Sequence, residues 1–202
     1  MDFLIQMVGS RPIEIIAVLC GLVNVTLIIR RSIWNYPFGF VMVVLYAIVF
    51  YEYQLYSDAL LQVYFFFMQI YGLANWSRNL EEAGGRIVVE ALPAARFAVY
   101  LGLTVAGWLV LSGAMARFTD ASYPFWDGAI AALSVLAQYM LARRYLESWY
   151  LWIAVDVLAI GLFTVKGLEP TAALYGVFLV LAVLGLLEWR RAQAAQQVAA
   201  PA

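Results

Sequence analysis

The 202-residue chain contains no histidine, a single cysteine and few charges, and each shortage closes a class of function. Without histidine, the commonest metal ligand and the commonest general base are both missing. A lone Cys20 builds neither a disulfide framework nor a thiolate metal set. No glycine-rich phosphate loop occurs, so the chain carries no recognisable nucleotide-hydrolysing engine, and no cofactor is expected. The net charge of −1 comes without a clustered basic face, the usual footprint of nucleic-acid binding. Charged residues make up 12% and hydrophobic ones 65%, against roughly 25% and 45–50% in soluble domains. Such a chain is a polytopic membrane protein.

Seven apolar runs, each bounded by charge, Pro or Gly, predict an all-α fold of seven transmembrane helices. They cover Ile13–Ile29, Phe38–Tyr53, Ala59–Trp76, Arg96–Ala116, Pro124–Ala142, Trp149–Val165 and Thr171–Trp189. Met1–Pro12 is short and mixed, and the first run reads as a retained span rather than a signal peptide. Arg78–Pro93 is the one long polar connection, with Ile87-Val88-Val89 placed at the interface. The tail after Trp189 lacks an apolar stripe and is expected to be frayed or disordered. Nine arginines (Arg30, Arg31, Arg78, Arg86, Arg96, Arg143, Arg144, Arg190, Arg191) fall on one side, and Arg11, Arg117 and Lys166 on the other. The positive-inside rule then puts the N-terminus outside and the C-terminus in the cytoplasm.

A shift of 113 residues lays Arg30-Arg31 on Arg143-Arg144, Gly72-Leu73 on Gly185-Leu186, Trp76 on Trp189 and Arg78 on Arg191 without a gap. Spans 1–3 therefore resemble spans 5–7. The cognate spans lie four apart, so the two triplets share one orientation and span 4 inverts the chain between them. The expected units are residues 13–78, a loop and linker helix over 79–122, a second triplet over 123–191, and a tail over 192–202. In such parallel repeats substrate binds near the midplane, between the triplets.

Trp149, Trp152 and Asp156 fall on one face of span 6. An acid that deep in a bilayer costs roughly 2.5–3.5 kcal/mol on insertion scales and normally faces a partner or a cavity. Two indoles and a carboxylate on one stripe suit a flat cation. The competing account is an acid that is protonated, that serves as a proton site, or that is hydrogen-bonded to Gln138 or Asn24. In span 3, Gln62, Phe65, Phe66, Gln69, Leu73 and Trp76 share a stripe; its amides can bind ribose hydroxyls or a carboxamide, or a neighbouring helix. Tyr175 is the repeat mate of Gln62 and is expected at the same depth. The candidate substrate residues are thus Trp152, Asp156, Gln62, Gln69, Trp149, Phe66, Tyr175, Gln138 and Asn24, with Tyr46, Ser134 and Tyr139 as further polar positions. Trp34 and Trp189, at span ends, are expected in an interfacial belt. Trp126 is expected to anchor the start of span 5, with Asp120 or Ser122 as N-cap. An enzyme would need positioned acid–base groups, and Asp156 is the lone deep carboxylate in these runs. A scaffold without cargo would not need amides and an acid aligned with indoles.

Several stretches resemble a known family: Asn35-Tyr-Pro-Phe-Gly39, Leu45-Tyr46, Tyr56-Ser-Asp-Ala-Leu-Leu-Gln62, and Gln69-Ile-Tyr-Gly72 with Trp76. The second half adds Arg117-Phe-Thr-Asp-Ala-Ser-Tyr-Pro-Phe-Trp-Asp127, Ala137-Gln-Tyr-Met-Leu-Ala-Arg-Arg144, Glu147-Ser-Trp-Tyr-Leu-Trp-Ile-Ala-Val-Asp156, Lys166-Gly-Leu168 and Trp189-Arg-Arg191. Across about residues 13–191 the chain is similar to the PnuC family of bacterial vitamin transporters, relatives of the SWEET sugar-transporter architecture. The resemblance implies uptake of nicotinamide riboside, or of thiamine or riboflavin in close relatives, in the bacterial inner membrane. It further implies energy-independent transport made one-way by a cytosolic kinase, and a homotrimer with one pathway per protomer. Leu73 stands where many nicotinamide-riboside members have Trp, and Gln69 and Asp156 where the family often has Asn. These departures leave the transporter reading intact and bear on which vitamin is carried.

Overall fold

The computed structural model describes residues 11–118 and 122–199, and these form seven helices. They are α1 (Pro12–Ile29), α2 (Asn35–Glu52), α3 (Tyr56–Glu82), α4 (Ala94–Phe118), α5 (Pro124–Ala142), α6 (Ser148–Val165) and α7 (Glu169–Ala199). Six are long and apolar enough to cross a membrane. The exception is α3, whose apolar run is interrupted by Gln62, Gln69 and Asn75 and whose last turns carry Arg78, Glu81 and Glu82. Its flanking partners α2 and α5 are both spans, so α3 crosses with them.

The helix contacts close a ring, α1–α2–α3–α5–α6–α7 and back to α1, with α4 outside it against α5. The α4 seat is made by Gly128, where a Cβ would run into the Ser112 side chain, and by Trp108, whose Nε1 donates to the Phe125 carbonyl at 2.7 Å. The rest of α4 exposes Val99, Leu103 and Val110, the apolar face that lipid requires.

The 113-residue repeat extends to single bonds. Trp76 Nε1 donates to the Leu141 carbonyl at 3.3 Å, and its mate Trp189 Nε1 donates to Ile28, the mate of Leu141, at 3.1 Å. Tyr36 meets Trp76 edge-on at 5.7 Å and Trp149 meets Trp189 edge-on at 5.5 Å. Each of these rings lies over a glycine. A Cβ on Gly72 would stand 2.7 Å from Tyr36 Oη, and one on Gly185 2.6 Å from Trp149 Cζ2. The turns match too: Arg31 and Arg144 have φ of 54° and 62°, and Gln54 and Gly167 have 61° and 71°. The seams between triplets, α1·α7 and α3·α5, are therefore counterparts related by the repeat.

Four expectations change. The tail is helical to Ala199, because Ala192 is buried and the Gln196 amide, oriented to satisfy both groups, pairs with the Val89 backbone at 3.1 Å. Ile87 and Val89 do not lie at an interface; they are buried against Trp76, Leu146 and Trp189. Trp189 is 0% exposed and so belongs to the core rather than a belt, whereas Trp34 is exposed at 69%. The residue capping α5 is Tyr123, without a side-chain cap bond, in place of Ser122; Asp120 lies outside the described residues. Trp126 does hold the start of α5, by donating Nε1 to the Leu158 carbonyl at 2.9 Å.

Candidate functional site

Gly39 draws the inner part of the site together. The absent side chain leaves room where a Cβ would stand 2.8 Å from Asn24 Nδ2 and closer still to the Gln69 amide. Asn24 uses that position to donate to the Asn35 carbonyl at 2.8 Å, while Asn35 Nδ2 donates to Ser32 at 2.7 Å. Gln69 and Gln138 line a common cavity of about 10 Å³ with Asn35, Tyr36 and Trp76, roughly the space of one water. Nothing much larger than a water fits this enclosed arrangement. Three of the expected polar residues, Asn24, Gln69 and Gln138, thus belong to one cluster.

A second group lies farther from the arginine-rich end. Asp156 is 4% exposed and makes no hydrogen bond or ion pair with a described residue. Neither Gln138 nor Asn24 holds it. Tyr175 lies within electrostatic reach of Asp156, Tyr46 and Asp58, and stacks on Phe163 at 5.3 Å. Gln62, the repeat mate of Tyr175, is buried with Oε1 unpartnered. In a bilayer a lone carboxylate and a bare amide oxygen are costly, and such groups are retained where a ligand or water can satisfy them.

The aromatic candidates divide. Trp152 bridges the two apolar clusters of the core, half-buried, with its buried Nε1 unpartnered. It occupies the repeat position of Gly39, so an indole in one triplet corresponds to a gap in the other. Phe66 packs edge-on to Phe40 at 5.4 Å, on the α2·α3 seam. Trp149 is committed to packing on Gly185 and Trp189, as Tyr36 is on Gly72 and Trp76, although its Nε1 also lacks a partner. Asn35 escaped the sequence reading as a site residue. Its repeat mate Ser148 is an equally buried polar residue, and comparing burial-prone polar pairs across the repeat would have flagged both.

What this arrangement offers is a carboxylate without a counter-charge, an indole with a free donor, and amides on the facing helices. It can bind a flat, cationic, hydroxyl-bearing molecule.

The chain is 28% identical over 201 residues to the nicotinamide riboside transporter PnuC of Escherichia coli K12, covering 88% of this chain and 84% of that one. It is 28% identical over 193 residues to the PnuC of Neisseria mucosa, covering 87% and 71%. It is 24% identical over 178 residues to the riboflavin/roseoflavin transporter RibM of Streptomyces davaonensis, covering 87% and 83%. The fold superposes on the crystal structure of the vitamin B3 transporter PnuC with a TM-score of 0.74 at 27% identity, covering 89% of this chain and 81% of that one. Residues 11–191 match the family described as nicotinamide mononucleotide transporter, and the chain belongs to that family, which the PnuC transporters represent.

Proposed function

We propose that this transporter carries nicotinamide riboside. The observation behind the reading is Asp156, buried in α6 without a counter-charge and one turn from Trp152. Nicotinamide riboside brings a permanent pyridinium charge, which a carboxylate and an indole face stabilise in place of lost hydration. Gln62 and Gln69 on α3, with Gln138 and Asn24, are assigned to the ribose hydroxyls and the carboxamide, and Tyr175 to the wall opposite Gln62. Phe66 and Trp149 support those groups from the packed shell. The two triplets rock about the site, exposing it to one side of the membrane at a time.

The arginine-rich end is assigned to the cytoplasm of a bacterial inner membrane, which leaves the N-terminus outside. No coupling ion is invoked: net uptake follows the gradient and is made one-way by a cytosolic kinase that phosphorylates the vitamin. A homotrimer with one pathway per protomer is the assembly that the family resemblance favours.

A second reading keeps the fold and changes the cargo to riboflavin, in view of Leu73 and the similarity to RibM. Riboflavin is neutral and does not call for Asp156; thiamine, a cation, does. Calorimetric titration of the detergent-solubilised protein with all three, repeated on Asp156→Asn, decides between them. We expect riboside binding in the wild type and at least about tenfold weaker binding in the variant, or roughly 1.4 kcal/mol. Binding of thiamine or riboflavin alone replaces the cargo, and no binding of any of the three removes this class of substrate.

A further inference from the structure

The end of the bundle opposite the arginines has its own chemistry. Here Arg11 is bonded to Glu14 at 3.0 Å and to Glu52 at 2.7 Å, Tyr53 Oη donates to Glu14 at 3.1 Å, and Lys166 holds Asp127 at 3.1 Å. Two of the three basic residues at this end, Arg11 and Lys166, are therefore occupied, and the third, Arg117, stands on α4 outside the ring. Asp58, in the first turn of α3, is exposed and forms no ion pair with a described residue, although Lys166 and Asp127 are within electrostatic reach.

An exposed acid at a helix start is ordinarily explained by the helix dipole alone. What lies beneath Asp58 asks for more. Gln62, one turn inward on the same face of α3, is nine-tenths buried with its Oε1 unpartnered. At its repeat-equivalent depth stands Tyr175, within reach of both Asp58 above and Asp156 below. Two stacked aromatic pairs flank this level, Tyr46–Phe50 at 5.6 Å from α2 and Phe163–Tyr175 at 5.3 Å from α6 and α7, with Phe50 and Phe163 as repeat mates. All four residues are half-buried rather than part of the closed core. Phe163 is seven residues from Asp156, the same face of α6 about 10 Å farther out.

We propose that Asp58 and the rings of Tyr46, Phe50 and Phe163, with Gln62 and Tyr175 at the border shared with the inner site, form an outer antechamber that captures a cationic aromatic ring before it descends to Asp156. This deepens the functional reading above and rests on it. The unpaired carboxylate draws the cation to the mouth. The ring faces then hold it by cation–π contact, and the Gln62 carbonyl accepts a hydroxyl from the sugar. Release inward to Asp156 exchanges one carboxylate for another, so the charge never lacks a partner along the way.

The test compares uptake of nicotinamide riboside with that of its neutral 1,4-dihydro form in proteoliposomes, for wild type and Asp58→Asn, at low and moderate salt. Asparagine keeps the size and hydrogen bonding of the helix start, and unchanged thermal unfolding in detergent confirms an intact fold. We expect KM for the cation to rise about three- to tenfold in the variant and to lose its salt dependence, with KM for the neutral form unchanged. Equal changes for the two forms, or none for either, overturn the antechamber while leaving the transporter reading in place. A wild type that moves neither form overturns the functional reading, and this inference falls with it.

Discussion

At the scale of single residues, the site depends on what is missing as much as on what is present. Gly39 and Trp152 are repeat mates, and the difference between them makes the interior unequal: one triplet contributes an indole, the other a space filled by the Gln69 and Asn24 amides. Restoring a Cβ at position 39 would push the Gln69 amide out of its place. Gly39→Ala is therefore expected to weaken riboside binding about tenfold or more while shifting thermal unfolding by only a few degrees; an unchanged dissociation constant would remove Gln69 from the substrate. Trp152→Phe keeps a stacking face but removes the unpartnered donor, and a smaller loss than that of Trp152→Ala is expected in the same titration. Much of this chemistry was legible in the sequence, because an acid and two amides inside apolar runs are expensive enough to demand a reason. The fate of each tryptophan was not. Trp34 and Trp189 both stand near span ends; the first is exposed, and the second reaches across to the Ile28 carbonyl, a partner 161 residues away that no local pattern announces.

At the scale of elements, the repeat is what the residue pattern conveyed best. The double arginine and the Gly-Leu-x-x-Trp-x-Arg stretch became turns with matching left-handed residues and matching indole-to-carbonyl bonds. Helix ends were less legible, since apolar length marks where lipid ends, not where hydrogen bonding does. Thus α3 runs on to Glu82 and α7 to Ala199, the latter because Ala192 is buried and Gln196 pairs with Val89 in the α3–α4 connection. The two glycine seats provide a test of the repeat as a packing unit. At Gly72 the nearest obstacle is the Tyr36 hydroxyl, whereas at Gly185 it is the ring of Trp149. Overpacking of this kind costs about 1–3 kcal/mol. Gly72→Ala should therefore be destabilising alone and largely relieved in a Tyr36→Phe background, while Gly185→Ala should need Trp149→Phe for relief. Thermal unfolding of the two double-mutant cycles checks this, and strictly additive effects would show that the glycines are not seats for those rings.

At the scale of the molecule, the two seams that the repeat makes equivalent are fastened differently. Arg144, buried at the end of α5, bonds the carbonyls of Asn75 and Val88 at 3.2 Å each and pairs with Glu90. Among the described residues, the side chain of its mate Arg31 reaches only Glu188, at 3.9 Å. The α3–α4 connection accounts for the difference. Glu90 exchanges backbone bonds with Arg144 and Leu146, Val88 N–H donates to the Asn79 side chain, and Leu92 N–H donates to Glu147. This strap follows α3 and joins the first triplet to the second along the α3·α5 seam; among the described residues its repeat counterpart, α7, is followed by no such segment on the α1·α7 seam. It was read from sequence as a polar connection with Ile87-Val88-Val89 at the interface, since so short an apolar run between charges carries no periodicity to betray burial. When the triplets rock, the strapped seam should act as the hinge and the α1·α7 seam should open. Arg30 and Arg191 flank the open seam and their repeat mates Arg143 and Arg78 flank the strapped one, so spin labels at these two pairs sample equivalent geometry. Distance distributions with and without riboside should shift and broaden for the first pair and stay narrow for the second. Substituting Glu90→Gln should loosen the second pair toward the behaviour of the first. Equal movement at both seams in the unaltered strap would mean that the triplets separate symmetrically, and that the strap closes the end of the bundle without directing its motion.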